Sequence, residues 1–250
     1  MQQDNLLDLS VVTATYNERE NIPLLIKELN KIFDENNLKG EVIVVDDSSP
    51  DGTSDVVLEL KKEYPNTVLN KRSGKLGIGS AYRDGIMLAR GKVITLMDAD
   101  FSQPPDVLPK LYRKTAENKI GWGSRYVKKV KFDSDIPHVI GTKLLNKWIS
   151  LWLRTGINDH TLGYFAIKKE HLEKIVAHSK QKGIQPFDNI LYGLPIAAVA
   201  KKLGIEIAEV EAPYEKRKFG ESKIGFFDGI RVVSKDMLYT ILLFFKLKLK

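Results

Sequence analysis

Hydrophobic and polar residues follow one another in short blocks along the chain, and each block has the length of one strand or one helix. Brief apolar runs rich in β-branched residues predict strands, whereas apolar positions three or four apart predict helices. Strands are predicted at residues 9–14, 41–45, 67–70, 93–97, 120–124 and 205–210. Helices are predicted at residues 21–36, 53–64 and 80–90, after Pro104-Pro105, and at 138–154 and 226–245. Because strands and helices alternate across short loops, we expect an α/β fold whose mostly parallel sheet carries helices on both faces.

The last predicted helix is apolar at helical spacing and is followed by lysines. Its longest nearly apolar stretch, residues 237–245, would rise only about 14 Å, against roughly 30 Å for the hydrocarbon core of a bilayer. We therefore expect a domain over residues 1–224 and an amphipathic helix over 225–250 that lies at a membrane interface without crossing the bilayer. The alternative is that this helix packs on the sheet. Likewise, Trp148 and Trp152, four residues apart, favour core packing but also suit an interface.

Acidic residues follow two of the predicted strands at the point where each strand ends. Asp98 and Asp100 come directly after the fourth strand, and Asp46 and Asp47 come directly after the second. The carboxyl ends of parallel strands share one edge of the sheet, where ligands bind in open α/β folds. Since alternate residues point the same way, Asp98 and Asp100 can converge on one cation, and their hard oxygens suit Mg²⁺ or Mn²⁺. The alternative is that both only cap a turn and the next helix.

Asp46 has two interpretations that the sequence leaves open. It can accept hydrogen bonds from the ribose or base of a nucleotide, as the acid at a strand end does in dinucleotide-binding folds. It can equally belong to a turn, since Asp, Ser, Pro and Gly all favour turns. For Asp47, Pro50 and Gly52 we favour the turn.

A glycine-rich loop precedes the third predicted helix, but its spacing fits neither of the common nucleotide-binding fingerprints. Gly77 and Gly79 match part of the motif G-x-G-x-x-G, yet Tyr82 occupies the third glycine position. Gly74 and Gly79 have the glycine spacing of G-x-x-x-x-G-K-[ST], but Ser80 stands where the lysine should be. The glycines are therefore expected to make a turn or to let the backbone approach a ligand.

Composition narrows the possible functions. The chain has 250 residues and no Cys, so neither disulfides nor thiolate metal sites can form, which fits a reducing compartment. Its formal net charge of +7 suits nucleotides, phosphates, anionic lipid or nucleic acid. The basic residues are dispersed and form no arginine-rich arm, so nucleic acid is not expected as a partner. Residues 1–8 lack the layout of a signal peptide.

Four segments together resemble the family-2 glycosyltransferases of the GT-A (Rossmann-like) fold, and among them the polyprenol or dolichol phosphate mannose synthases. The segments are TYNE at 15–18, VDDSSPDGT at 45–53, KLGIGSAY at 75–82 and DAD at 98–100. GSRY at 123–126 and RKFGESK at 217–223 also match the family. Two departures are Ala14, where the family usually has proline, and DHTLGY at 159–164, which lacks the family's serine.

The resemblance implies a catalytic domain that transfers mannose from GDP-mannose to a polyprenyl (dolichyl) phosphate, with inversion and with Mg²⁺ or Mn²⁺. Implied for nucleotide-sugar binding are Ala14, Thr15, Tyr16, Glu18, Val44, Asp46, Asp98, Ala99, Asp100, Ser102, Arg125, Arg217 and Lys223. Implied for the metal are Asp98, Asp100 and Ser102. Arg125 and Lys143 would bind the acceptor phosphate, and the catalytic set would be Asp100, Arg125 and Arg217.

The implied reaction requires the protein to stabilise the leaving group but not to supply a strong general base. A phosphate monoester is already charged near neutral pH, its second pKa being about 6, so the attacking acceptor needs no strong general base. The metal, with Arg217 and Lys223, would stabilise the charge on the departing GDP. The alternative among glycosyltransferases is a polyprenyl-phosphate glucosyltransferase that uses UDP-glucose. The alternative from another class is a basic nucleotide- or nucleic-acid-binding module without transferase activity. The expected location is the cytoplasm, peripherally on the inner face of the membrane.

Overall fold

The chain folds around one seven-stranded sheet, as seen in a computed structural model that describes residues 7–127, 132–134, 136–188, 190–220 and 226–249. The strands are β1 (Leu7–Thr15), β2 (Gly40–Asp46), β3 (Thr67–Lys71), β4 (Gly91–Leu96), β5 (Ile120–Ser124), β6 (Phe165–Lys168) and β7 (Ile207–Glu211). The helices are α1 (Ile22–Glu35), α2 (Thr53–Leu60), α3 (Ile78–Leu88), α4 (Leu108–Ala116), α5 (Ile136–Leu153), α6 (Lys169–Gln181), α7 (Gly193–Lys202) and α8 (Phe226–Leu247). A 3₁₀ turn at Pro105–Val107 leads into α4.

The order of strands across the sheet places the switch point of the fold at β1 and β4. The order is β3-β2-β1-β4-β6-β5-β7, and β6 alone runs antiparallel to its two neighbours within this sheet. After β3 the chain returns to the other side of β1 to form β4, so the direction of strand addition reverses there. In open α/β sheets a crevice forms outside the carboxyl ends of the strands at such a point, and ligands bind in it.

Two hydrophobic cores cover the two faces of the sheet, and the alternation of side chains along each strand supplies both. In β2, Val42 and Val44 belong to the core shared with α1, α2 and α4. Ile43 and Val45 belong to the core shared with α3 and with α5 to α8. Burial on both faces explains why the strands are nearly continuous apolar runs. The predicted mostly parallel sheet with helices on both faces is confirmed.

The six predicted strands and six predicted helices are all present, but three described elements were not predicted. They are β6, α6 and α7. In α7, Pro195 interrupts the apolar pattern, yet it is only the third residue of the helix. A proline in the first turn removes no helical hydrogen bond, because the N–H groups there have no partner within the helix.

The last helix, α8, packs against α5 and α7. Its Leu243 and Leu247 are buried in the same core as Ile149 and Leu153 of α5. The predicted C-terminal helix is therefore confirmed, and it docks on other helices; a domain boundary near residue 224 stays a prediction. In the described part of the chain, no helix is both long enough and apolar enough to cross a bilayer.

Asp236 places a carboxyl group in the buried part of α8. Its side chain is buried, and its Oδ2 has no hydrogen-bond partner among the described residues. Burial raises the pKa of Asp236 from 3.8 to about 6, although the charge of Lys235 acts in the opposite direction. The pKa of Asp236 is higher in the folded protein than in the unfolded protein. The bound proton therefore stabilises the fold to its full extent at pH values below the pKa of the unfolded protein. This stabilisation is lost as the pH rises through about 6.

Asp236→Asn is therefore expected to stabilise the protein at pH 8, by on the order of 2 kcal/mol, and to have a clearly smaller effect at pH 4.5. Urea denaturation at the two pH values measures the difference. Asp34→Asn, on the exposed side of α1, serves as the control and should change the free energy of unfolding little at either pH. Equal stabilisation by Asp236→Asn at both pH values would show that the buried charge is not its cause.

Candidate active site

The carboxyl ends of β1, β2 and β4 form the edge at which the predicted site residues meet. Thr15 at the end of β1 lies opposite Asp46 at the end of β2. The loops that follow the three strands each contain a non-glycine residue in the left-handed backbone region, namely Asn17 (φ 58°), Ser48 (φ 54°) and Phe101 (φ 65°). Such conformations cost roughly 1–2 kcal/mol per residue and tend to cluster at functional sites. Their concentration here supports a site at this edge.

Asp98 is held at this edge by two buried side chains. The Tyr82 hydroxyl of α3 donates to its Oδ1 at 3.0 Å, and the Gln103 side-chain amide donates to its Oδ2 at 3.2 Å. Removal from water, followed by repulsion from the Asp100 carboxylate, raises the pKa of Asp98 from 3.8 to about 7. Two neighbouring carboxylates that resist carrying both charges favour a positively charged ligand.

Asp100 already has a cationic partner, which comes from a distant part of the chain. Its Oδ2 lies 2.9 Å from Nη1 of Arg217, and its Oδ1 accepts the Ser102 N–H at 2.9 Å. Asp100 and Ser102 are buried, whereas the Arg217 side chain is 30% exposed. The positive charge of Arg217 therefore lies where the acidic pair meets solvent.

Residues 214–219, which we call the covering segment, lie against the loop that follows β4. The N–H of Glu215 donates to the Ser102 carbonyl, and the N–H of Lys218 donates to the Asp100 carbonyl, both at 3.1 Å. Main-chain hydrogen bonds of this kind fix the segment in place whatever its side chains are. Arg217 is thus brought to Asp100 by the backbone as well as by its own charge.

The covering segment also contacts residues beyond the acidic pair. The Lys218 ammonium lies 4.9 Å from the centre of the Phe101 ring. The Phe219 carbonyl accepts a hydrogen bond from the Asn21 side chain, before α1, at 3.2 Å. The segment therefore connects the loops that follow β1 and β4. Lys223, predicted to bind the nucleotide-sugar, lies outside the described residues.

The oxygen donors at this edge fit a hard divalent cation. Asp98 and Asp100 supply two carboxylates, and burial, together with repulsion from Asp100, raises the pKa of Asp98 to about 7. In the parts of the chain that are described, no cluster of three or more His, Cys, Asp or Glu side chains is positioned for a metal. Two protein carboxylates, completed by phosphate and water, are a usual arrangement for Mg²⁺. Ser102 lies beside Asp100, and its predicted role as a ligand stays a prediction.

Asp46 accepts hydrogen bonds from the end of β1, from the loop that follows β2 and from the first turn of α2. Thr15 Oγ1 donates to it at 2.9 Å and Ser54 Oγ at 2.6 Å. Ser49 donates through its N–H at 3.0 Å and through its hydroxyl. A carboxylate offers about four acceptor positions, so these partners are those expected of a structural turn residue. Contact of Thr15 or Asp46 with a nucleotide stays a prediction.

Tyr16 and Glu18, also predicted to bind the nucleotide, lie in the loop after β1. Tyr16 is half-buried, and the Lys75 ammonium lies 4.1 Å from the centre of its ring, which is a cation–π contact. Glu18 is buried and accepts a hydrogen bond from the Asn21 side chain at 2.7 Å. One face of Tyr16 is thus covered by a cation from the glycine-rich loop.

Asp47, which the sequence suggested as a turn residue, anchors this glycine-rich loop. Its Oδ1 pairs with Arg72 Nη1 at 2.6 Å, and its Oδ2 accepts the N–H groups of Leu76 and Gly77 at 3.0 Å each. Both side chains of the pair are buried. The loop, with Lys75 within it, is thereby fixed at the carboxyl edge of the sheet.

Four more predicted residues are placed with fewer contacts. Val44 and Ala99 are buried in the hydrophobic core, and Ala14 is half-buried at the end of β1. Lys143, predicted to bind the acceptor, is exposed on α5, three residues before Asn146. The predicted ligand contacts of all four stay predictions.

Arg125, predicted to bind phosphate, is engaged with Asp159. Its Nε donates to Oδ2 at 2.7 Å and its Nη2 to Oδ1 at 2.8 Å, and the two side chains are 3% and 0% exposed. Burial alone would raise the pKa of Asp159, but the hydrogen bonds and charge of Arg125 keep it below its usual value. The Phe132 ring lies 4.6 Å from the guanidinium carbon. A contact of Arg125 with phosphate stays a prediction.

Sequence reasoning missed the side chains that hold the predicted acids in place. Tyr82 and Gln103 hold Asp98, and Arg72 holds Asp47. In the sequence, Tyr82 was noted as a mismatch to a glycine fingerprint and as the last residue of the KLGIGSAY match, and no role was predicted for it. The Tyr82–Asp98 and Arg72–Asp47 contacts join residues 16 and 25 positions apart, so no local pattern indicates them.

Two solved structures that share this fold are sugar-3-phosphoglycerate synthases. Glucosyl-3-phosphoglycerate synthase from Mycobacterium tuberculosis, in complex with Mn²⁺, UDP-glucose and phosphoglyceric acid, superposes with a TM-score of 0.65. The match has 17% identity and covers 98% of this chain and 81% of that one. Mannosyl-3-phosphoglycerate synthase from Rubrobacter xylanophilus superposes with a TM-score of 0.59 and 15% identity, over 94% of this chain and 73% of that one. The fold is therefore that of a GT-A glycosyltransferase, as the sequence resemblance predicted.

Residues 10–176 match the family Glycosyl transferase family 2, and the chain belongs to this family. Dolichol-phosphate mannosyltransferase of Pyrococcus furiosus is 33% identical over 225 residues, which are 87% of this chain and 59% of that protein. The enzyme of the same name in Saccharomyces cerevisiae is 29% identical over 87% of this chain and 81% of its own. Polyprenol monophosphomannose synthase of Mycolicibacterium smegmatis is 33% identical over 86% of this chain and 80% of its own. The chain thus spans less than two thirds of the Pyrococcus relative and about four fifths of the other two.

Proposed function

We propose that this glycosyltransferase moves mannose from GDP-mannose to the phosphate of a polyprenyl phosphate. The observation that carries the proposal is the pair of Asp98 and Asp100 at the switch point of the sheet, with Arg217 Nη1 2.9 Å from Asp100. The names of relatives that are 29–33% identical over most of the chain support both the sugar and the lipid acceptor.

The residues at this edge have distinct parts in the proposed reaction. An acceptor phosphate oxygen attacks the anomeric carbon, and the bond from that carbon to GDP breaks on the opposite side, so the configuration inverts. The attacking oxygen is already charged, so the protein has to align it and has no proton to remove. Arg217 and Lys223 neutralise the charge that develops on the leaving diphosphate. Tyr16 and Asp46 are proposed to line the nucleoside, although the carboxylate of Asp46 already accepts hydrogen bonds from Thr15, Ser49 and Ser54.

The proposal includes Mg²⁺ or Mn²⁺ as cofactor. Asp98 and Asp100 would hold the ion, and its positive charge at the diphosphate would help the leaving group to depart. The carboxylate oxygens and the raised pKa of Asp98 support this assignment. The structurally similar M. tuberculosis enzyme was solved with Mn²⁺.

An exposed apolar face on α5 and α8 supports the membrane surface as a partner. These two helices pack against each other. Their large exposed apolar side chains include Ile136, Leu144 and Leu151 on α5 and Leu238 and Phe245 on α8. Large apolar side chains that a protein leaves exposed on neighbouring helices are typical of interaction surfaces. A membrane-bound acceptor requires such contact, so the proposal places the enzyme peripherally on the cytoplasmic, inner face of its membrane.

The double variant Leu144→Glu, Leu238→Glu is expected to bind anionic phospholipid vesicles at least roughly tenfold more weakly, because it loses apolar contact and adds repulsion. Vesicle co-sedimentation measures this, with binding of GDP expected to stay unchanged. Leu58→Glu, at a 52% exposed position of α2 on the other face of the sheet, is the control and should bind vesicles like the parent protein. Equal vesicle binding by the double variant would contradict the membrane assignment.

The transfer itself is tested with the purified protein, a radiolabelled donor, Mn²⁺ and a polyprenyl phosphate in vesicles. GDP-mannose should give a lipid-soluble, acid-labile mannosyl phosphate, whereas UDP-glucose should give little product. A reversed preference would replace mannose by glucose and keep the reaction type. If neither GDP-mannose nor UDP-glucose gives a product, the proposed function is overturned.

A further inference from the structure

Asp98 and Asp100 are held in place by chemically different partners. Asp100 is paired with the partly exposed cation Arg217, whereas Asp98 is held by the neutral side chains of Tyr82 and Gln103. Tyr82 is 0% exposed and Gln103 is 1% exposed. This asymmetry has a consequence for the proposed cation site.

The Tyr82 ring is fixed in position before it reaches Asp98. It lies on α3, where a Cβ on Gly85, three residues further, would come within 2.3 Å of the Val12 side chain. Only glycine permits this close approach of the helix to β1. The ring also packs on Tyr192, with 4.6 Å between ring centres. The Tyr82 hydroxyl therefore donates to Asp98 from a rigid position.

Gln103 is equally constrained, because every polar atom of its amide has a partner. Its Oε1 accepts the main-chain N–H of Asp98 at 3.1 Å. Its Nε2 donates to the Leu162 carbonyl at 2.8 Å as well as to the Asp98 carboxylate at 3.2 Å. Reversing the amide would place acceptor against acceptor and donor against donor, so its orientation is determined by the backbone.

Both oxygens of Asp98 are thus oriented by fixed donors that carry no charge. Each oxygen keeps a further acceptor position, since a carboxylate has about four. Neutral donors hold the carboxylate without cancelling its charge, which a lysine or arginine at the same place would do. Side chains that orient a metal ligand in this way typically change metal affinity by about 10–100-fold when they are removed.

We propose that Tyr82 and Gln103 are positioning residues that fix the Asp98 carboxylate as a ready-made ligand for the divalent cation. The inference rests on the cation site of the proposed function. It assigns to these two buried residues a role in metal affinity, in addition to any contribution to stability.

The test is direct binding of Mn²⁺ in the presence of GDP, followed by the electron paramagnetic resonance signal of free Mn²⁺. Tyr82→Phe removes one oxygen atom and is expected to weaken Mn²⁺ binding about tenfold or more. Raising the Mn²⁺ concentration should restore sugar transfer to near the parent rate. A purely structural defect would instead lower the rate at every Mn²⁺ concentration.

Tyr164→Phe is the matched control. Tyr164 is also fully buried, and its hydroxyl donates at 3.3 Å to the Pro104 carbonyl instead of to a carboxylate. The control should share the loss of thermal stability of Tyr82→Phe but keep the Mn²⁺ affinity of the parent. Equal Mn²⁺ affinities of the parent and Tyr82→Phe would overturn the inference.

Two further outcomes are decisive. Should Tyr82→Phe fail to fold, Gln103→Met is measured in the same way, with the same expected loss and the same overturning result. Should the parent protein itself bind no Mn²⁺ with GDP, the cation site of the proposed function is overturned and the inference with it. Binding by the parent with no change in the variants overturns the inference alone.

Discussion

Replacing Asp100 by Asn is expected to reduce sugar transfer by about a thousandfold or more while the fold stays intact. The substitution removes one of the two charges proposed to hold the cation, and a metal ion contributes several kcal/mol to stabilising a leaving group. A loss of about 4 kcal/mol corresponds to about a thousandfold in rate. Asn keeps the size of the side chain and an oxygen that can accept the Ser102 N–H. Turnover with GDP-mannose, together with circular dichroism and a thermal midpoint, measures both expectations.

The control for this variant is Asp106→Asn, which removes an exposed carboxylate from the 3₁₀ turn six residues later. It should leave both turnover and stability near those of the parent. Near-parent turnover by Asp100→Asn would mean that the acidic pair does not serve a metal. Loss of folded structure in Asp100→Asn would show that its pairing with Arg217 is needed for the fold.

Asp159→Ala is expected to have the largest effect on stability, lowering the free energy of unfolding by about 3–5 kcal/mol. It leaves the Arg125 guanidinium, whose side chain is 3% exposed, without its bidentate partner. An unpaired charge that is kept from water is far more costly than a lost surface ion pair. Urea denaturation measures the change. Asp188→Ala, from an ion pair that is 4.0 Å long and exposed, is the control and should have almost no effect.

A double variant separates the structural role of this pair from its predicted role in acceptor binding. Arg125→Met combined with Asp159→Leu removes both charges, and such replacements are often neutral for stability. If the double variant is stable and its KM for polyprenyl phosphate is raised, Arg125 also contacts the acceptor. If its KM is unchanged, the pair is structural only. Instability of the double variant like that of Asp159→Ala would contradict the electrostatic explanation.

The sheet could be predicted from the sequence because most of its strands obey a simple rule. The strands β1, β2 and β4 are buried on both faces, so they are apolar runs that stand out between polar loops. β6 has only four residues and runs antiparallel between β4 and β5. A run this short has no periodicity of its own, and its place depends on the neighbouring strands.

The candidate site was predicted in part, for a comparable reason. The shared location of Asp46, Asp98 and Asp100 could be predicted because the ends of parallel strands come together at one edge of the sheet, and the roles of these residues stay predictions. The partners of these residues depend on how separate elements pack. Nothing near Arg125 in the sequence indicates that it pairs with Asp159, which is 34 residues away. Long-range pairs of this kind follow from tertiary structure and leave no local pattern.

The contact of Arg217 with Asp100 determines how the electrostatic balance of the crevice changes when substrate arrives. One oxygen of Asp100 lies 2.9 Å from the Arg217 guanidinium, so the negative charge of Asp100 is already paired before substrate binds. In the proposed reaction the donor would arrive with its own cation, and Arg217 would be free to turn to the incoming diphosphate. Donor binding would then be an exchange of ionic partners. Asp100 would exchange Arg217 for the metal ion, and Arg217 would exchange Asp100 for the diphosphate. Because Asp100 and Arg217 neutralise each other beforehand, the long-range attraction between the free enzyme and the donor would be weak.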